Sequence, residues 1–288
     1  MALTKDQAII RRGLTANPEI IYPSDELLKT LTELGQHRKA STEYQIHAMK
    51  LEDALYDARK FLNYYYKLRK VPYLKIRKLL GLQIHTIREI NPLELPINLL
   101  DADDVFSGSV TEIFIDRPPH IVFRKINISK VISEQTSSSY IHEITHTQLD
   151  SLKCSIKEYY NLEILSIFNE LFHSSILDKE ERILKLNDSR RIHEMRVSAE
   201  ELKDYHDGKI EMDRENLLDS CKYLISGLKA YNLFITFYFA NEELQNDILD
   251  DIQAIFDGYQ TLEELLTKYN ITYENSQEPK RLFKYFNR

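Results

Sequence analysis

The chain has 288 residues, 43 % of them hydrophobic, which is enough for a sizeable core, and only 7 glycines and 8 prolines interrupt long runs rich in Leu, Glu, Lys, Ile and Tyr. A formal net charge of -7 and a pI near 5.8 argue against a nucleic acid or an anionic membrane as the main partner and leave a peptide or small protein as the better fit. Cys154 and Cys221 are isolated, no segment reaches the ~20 apolar residues of a membrane span, and Met1 to Arg12 lacks the apolar stretch of a signal peptide, so the expected setting is reducing and cytoplasmic.

The chain begins with helical patterning. Pro23-Ser24 reads as the cap of a helix from Asp25 to Leu34, with Gly35 as its stop. Apolar residues then recur at helical spacing from Ser41 to about Arg69, ending at Val71-Pro72. Another helical stretch is expected over Tyr73 to Ile90, closed by Asn91-Pro92. This helical N-terminal lobe spans residues 1–92, and residues 93–288 form the second expected domain.

Within that domain the period changes from 3.6 to 2 over residues 108–133. Val110 to Ile115 and His120 to Ile126 alternate on either side of Asp116-Arg117-Pro118-Pro119, which predicts a hairpin or small meander. Helices are expected again over 137–178 and 190–288, with interruptions near Asp207-Gly208 and Asp257-Gly258. The predicted fold is mainly α, with a small β-sheet beside the helix that carries the chemistry.

That helix contains Tyr140-Ile141-His142-Glu143-Ile144-Thr145-His146, an H-E-x-x-H motif with Ser137, Ser138 and Ser139 as candidate N-caps. Residues four apart share a helix face, so His142 and His146 can both reach one Zn²⁺ at ~2.0–2.1 Å, with Glu143 addressing the water beside the metal. Zinc lowers the pKa of such a water to about 7, and Glu143 is the expected general base.

A third ligand is required, and Glu163 and Glu170 are the carboxylates available downstream. Ser155 to Glu158 looks like a capping box that starts the next helix. At ~1.5 Å per residue, Glu163 then lies about 12 Å into an antiparallel helix, level with the metal, whereas Glu170 overshoots by roughly 10 Å. Glu163 is therefore the expected ligand, and Glu170 an outer residue that hydrogen-bonds a metal-bound histidine.

Glu163-Ile-Leu-Ser166-Ile-Phe-Asn169-Glu170 resembles the E-x-x-S-x-x-N-E segment of oligoendopeptidase F and the wider M3 (thimet oligopeptidase-like) family of gluzincin peptidases. The resemblance covers about Ile113 to Tyr273. Tyr223 to Ala230 resembles a C-terminal helix of that family, and Gly258 to Ile271 its closing helix-turn element. It implies that Glu163 binds zinc, that the protein is a zinc metalloendopeptidase acting on short peptides, and that an extended substrate pairs with the strand near His120 to Ile126. It also implies an oxyanion donor, for which Tyr223 comes first, then Tyr231, with His206 as a further donor. Core packing is the other reading of both tyrosines. The chain departs from the family in its shorter N-terminal lobe, its shorter interval from His146 to Glu163, and Thr145 in the place of the usual glycine.

Two other classes remain. One is a peptidase-like binding protein without activity. The other is a DNA-binding regulator, because Tyr73 to Ile90, with Gly81 and its basic residues, resembles a helix-turn-helix, although Arg77 stands where a small residue normally lets the helices pack.

Overall fold

The computed structural model describes residues 19–41, 48–49, 56, 60–61, 84–90, 107–112, 120–126, 132–133, 138, 141–142, 145, 161, 163–177, 182–277 and 279–286. The chain divides into two compact units: Met1–Lys5 with Tyr44–Asp150, and Asp6–Glu43 with Ser151–Arg288. This division falls at other places than the 92/93 boundary read from the sequence. The described residues are mainly helical, and no helix among them is long and apolar enough to cross a membrane.

In the first unit, β1 (Ala48–Met49) pairs antiparallel with β5 (Ile132–Ser133). Strands β2 (Ile84–Ile90), β3 (Ser107–Glu112) and β4 (His120–Ile126) lie in the order β2-β4-β3. β3 runs antiparallel to β4, with Val110 opposite Val122, and β2 runs parallel to it, with Ile90 opposite Ile126. Three expectations change here. Ala48–Met49 is a strand within the stretch expected to be one helix from Ser41 to about Arg69, and the other described residues of that stretch, Tyr56, Lys60 and Phe61, are helical. Ile84–Ile90 is a strand, not the second helix of a helix-turn-helix, and β-branched residues at Ile84, Thr86, Ile87 and Ile90 account for that preference. β4 is central, so both its backbone edges are already paired and an extended substrate cannot add to it; the outer strands of this set are β2 and β3. Residues 73–83 lie outside the described ones.

The second unit is an assembly of helices: α1 (Asp25–Ser41), α2 (Ile164–Leu177), α3 (Arg182–His206), α4 (Arg214–Tyr238), α5 (Glu242–Phe256), α6 (Leu262–Lys268), α7 (Tyr273–Ser276) and α8 (Pro279–Phe286). Their ends follow capping chemistry. Ser24 Oγ accepts from the Leu27 amide at 3.1 Å, and Asp213, Asn241, Thr261 and Thr272 each accept from the amide three residues on. Thr261 and Glu264 complete a reciprocal capping box. Gly208 and Gly258 take φ values of 70° and 78° just beyond α3 and α5, the left-handed stops expected at those two interruptions. Gly35 does not stop α1, which runs on to Ser41 while packing against α3.

Helix α4 is the axis of this unit and packs against α2, α3, α5, α7 and α8. From Leu224 to Ile235 every residue but Lys229 is buried, so apolar residues occupy all sides of the helix and not one stripe. Phe168 and Phe172 of α2 meet Phe234 and Phe237 of α4 edge to face, with centroids 4.9 to 6.1 Å apart. Burying each such ring contributes roughly 1.5–3 kcal/mol. Close approach of α3 to α4 depends on Gly227, where a Cβ would lie 2.7 Å from Met195 Cγ.

Candidate functional site

Ser138, Ile141, His142 and Thr145 are helical and buried, with His142 8 % exposed and the other three fully covered. Their spacing of i, i+3, i+4 and i+7 defines one helix face. Thr145 Oγ1 donates to the Ile141 carbonyl at 2.8 Å, a bond that requires a formed helical turn. The sequence thus places His142 on a helix face turned away from bulk water. Glu143 and His146 lie outside the described residues.

Glu163 stands at the start of α2. Its carbonyl accepts from the Ile167 amide at 2.9 Å, the first bond of that helix, and Asn161 just before it is in a 3₁₀ turn. The helix therefore does not run unbroken from Ser155, and Glu163 is at the N-terminal end of α2, not about 12 Å inside it. A carboxylate there meets the positive end of the helix dipole. Its side chain is 12 % exposed, and the ammonium of Lys222 on α4 lies 3.9 Å from Oε1, the outer limit of an ion pair. The same ammonium is 3.3 Å from Asp219 and 4.5 Å from the centroid of the Tyr223 ring.

Glu170 lies almost two turns further along α2, on its buried side, and is fully covered. Arg191 of α3 donates to its Oε2, and Arg190 Nη2 is 3.5 Å from its Oε1. Both arginines also reach Glu194, at 2.6 Å from Arg191 and 3.3 Å from Arg190. Burial opposes the charge of Arg191, yet Glu170 and Glu194 outweigh it and hold the guanidinium pKa well above its ordinary value. His173, one turn from Glu170, is 2 % exposed; burial lowers its pKa to about 3 despite the attraction of Glu170, so the imidazole is neutral near pH 7. Glu170 is thus bound into a buried ionic cluster with α3. Sequence reasoning missed the two arginines; their only signal is an Arg-Arg pair followed at i+3 and i+4 by Glu194.

The two tyrosines occupy different surroundings. Tyr223 is 40 % exposed and stands beside Lys222. Its pKa is raised: Lys222 pulls it down, but Glu163, burial and Asp219 together prevail. Tyr231 is fully buried, and its hydroxyl donates to Asp188 at 2.9 Å. Tyr285 of α8 reaches the same carboxylate at 3.3 Å. Burial and the charge of Asp188 push the Tyr231 hydroxyl well above its usual pKa. Tyr231 accordingly belongs to the core network, the packing role that the sequence also allowed. The exposed His206 ring lies against Tyr22 with centroids 4.5 Å apart.

No family model, curated protein or solved structure matches the chain.

No group of three or more His, Cys, Asp or Glu side chains placed to hold a metal occurs among the described residues, which do not include Glu143 and His146. His142 is a shielded imidazole, and Glu163 is a largely buried carboxylate at the positive end of a helix, the kind of N and O donors zinc takes.

Proposed function

We propose that this protein is a zinc metallopeptidase in which His142, His146 and Glu163 hold one metal ion and Glu143 is the general base. The observation that carries this reading is the order of residues along the chain: H-E-x-x-H at 142–146, then a carboxylate at Glu163 within a segment similar to that of M3 peptidases. The helical state of Ser138, Ile141, His142 and Thr145 supports it, because the spacing of the motif has chemical meaning only on a helix. The burial of His142 and of Glu163 adds to that support.

Bound zinc would supply Lewis acidity and would lower the pKa of an adjacent water to about 7. In this reading Glu143 removes the proton of the attacking water and returns it to the leaving amine. Tyr223, the surface-exposed tyrosine of the two candidates, donates to the oxyanion of the tetrahedral intermediate. Glu170 acts at a distance, fixing α2 to α3 through Arg190 and Arg191 and so holding the helix that begins at Glu163. The finer fold that goes with this reading has the small sheet of β2, β3 and β4 beside the His142 helix, and the substrate is a cytoplasmic peptide or protein.

The test is metal analysis of purified wild type, Glu143→Gln, His146→Ala and Glu163→Ala, each also incubated with a mixed peptide library. About one zinc per chain is expected for wild type and for Glu143→Gln, with marked loss in the other two, and cleavage by wild type alone. Wild type that takes up no zinc on reconstitution refutes the reading. Zinc without cleavage would favour the inactive binding protein.

A further inference from the structure

A second group of polar side chains gathers on the solvent-facing side of α3 and α4, around a pocket of about 460 Å³. Its walls include Ser198 and Glu201 of α3, Asp219 and Tyr223 of α4, and Ile210 and Met212 from the connection between them. Ile210 and Tyr223 are 39 % and 40 % exposed, so the rim presents apolar surface to water.

The polar part of the lining is rich in acceptors. Glu201 accepts from Ser220 Oγ at 2.7 Å through Oε2, while its Oε1 has no partner among the described residues. Ser198 is only 7 % exposed and lines the pocket, yet its hydroxyl makes no hydrogen bond among the described residues. A helical serine ordinarily donates to the carbonyl one turn back, as Ser174 does to Glu170 at 2.9 Å. A hydroxyl that opens on the pocket and has no partner among the described residues leaves hydrogen-bonding capacity that a ligand can take up. Asp219 adds a second carboxylate, with the Lys222 ammonium 3.3 Å from it and 3.9 Å from Glu163. The lining carries the carboxylates of Glu201 and Asp219 and no Lys or Arg, which gives it an anionic character.

We propose that this pocket binds the basic side chain of a peptide, arginine or lysine, with its charged head at Glu201, Ser198 and Asp219 and its methylene stem against Ile210, Met212 and the Tyr223 ring. Apolar and anionic lining are the two kinds of surface that an amphipathic cation requires. The pocket reaches the proposed metal ligand through Tyr223 and Lys222, since the Lys222 ammonium lies between Glu163 and Asp219. The peptide nature of the occupant rests on the peptidase reading, whereas the preference for a cation rests on the pocket alone.

The test uses fluorescein-labelled Ala-Ala-Xaa-Ala-Ala peptides with Xaa as Arg, Lys or norleucine, titrated by fluorescence anisotropy against the zinc-reconstituted full chain carrying Glu143→Gln. Arg or Lys peptides should bind at least about tenfold more tightly than the norleucine peptide, a difference of about 1.4 kcal/mol. Adding Glu201→Gln, which keeps an acceptor for Ser220, should erase most of that preference and leave norleucine binding unchanged; Ser198→Ala should erode it less. Equal affinity for all three peptides, or equal weakening of all three by Glu201→Gln, overturns the proposal. Far-UV circular dichroism of each variant confirms that its helices are intact. Cleavage of the same peptides by wild type separates the two readings. Cleavage without charge preference removes the pocket proposal alone, and charge-selective binding by a chain that never cleaves removes the peptidase alone.

Discussion

Replacing Arg191 by Met tests how the second unit is held together. Arg191 is 5 % exposed and Glu170 not at all, so the substitution leaves a fully buried carboxylate without its main partner. Breaking a buried ion pair from one side costs about 3–5 kcal/mol. Arg190 stays 3.5 Å from Glu170 Oε1, which places the expected loss at the lower end, about 3 kcal/mol. Glu194 adds little, because it is 36 % exposed and keeps Arg190. With a urea m-value of about 2 kcal/mol per M, the midpoint should fall by about 1.5 M. The chain has no tryptophan, so unfolding is best followed by circular dichroism at the helical band. The double variant Glu170→Met/Arg191→Met should recover to within about 1 kcal/mol of wild type, since apolar residues of similar volume can replace a buried pair. A single variant costing under about 1 kcal/mol, or a double variant as unstable as the summed singles, would refute this account.

Gly227→Ala drives a Cβ to 2.7 Å from Met195 Cγ, so a loss of about 1–3 kcal/mol is expected in the same urea assay, partly restored by Met195→Ala. Asp188→Ala leaves the buried hydroxyls of Tyr231 and Tyr285 without their shared acceptor; about 2–4 kcal/mol should be lost, and the near-ultraviolet tyrosine dichroism should weaken. His173 is neutral in the folded protein, with a pKa of about 3 against 6.5 for the free side chain. Its contribution is therefore complete above pH 6.5 and is lost as pH falls from there toward 3. Between pH 7.5 and 5.0 this removes about 2 kcal/mol of stability, and His173→Gln should show a correspondingly shallower pH dependence of its urea midpoint.

The readable parts of this fold were those fixed by neighbours in sequence. Ser24 as a cap, Gly208 and Gly258 as helix stops, and the helical setting of His142 all depend on residues within one or two turns. Ile84–Ile90 misled because seven residues are too few to tell a helical from an extended period when apolar and β-branched side chains coincide. The depth assigned to Glu163 failed because it assumed an unbroken helix from Ser155, while the backbone turns at Asn161 and Glu163 and α2 begins at Ile164. The arginines at Glu170 and the pairing of Tyr231 with Asp188 were hidden for another reason. They join residues 21 and 43 positions apart, and nothing in a single sequence marks which distant charges meet.

Helix α1 belongs to the second unit although the whole stretch Tyr44–Asp150 separates it from the rest. Asp25 pairs with Lys203 at 3.1 Å, and the Ile21 carbonyl accepts from Cys221 Sγ at 3.6 Å. During synthesis α1 leaves the ribosome long before α3 and α4 exist to cover Leu27, Leu31 and Leu34, so it must wait as an uncovered amphipathic segment, a natural client for a chaperone. Closing so long a loop as flexible chain costs about 4 kcal/mol of entropy, and prior folding of the intervening unit shortens the effective loop. Damage confined to the intervening unit would then first loosen α1, and faster amide exchange across Asp25–Ser41 would report a lesion that lies elsewhere in the chain.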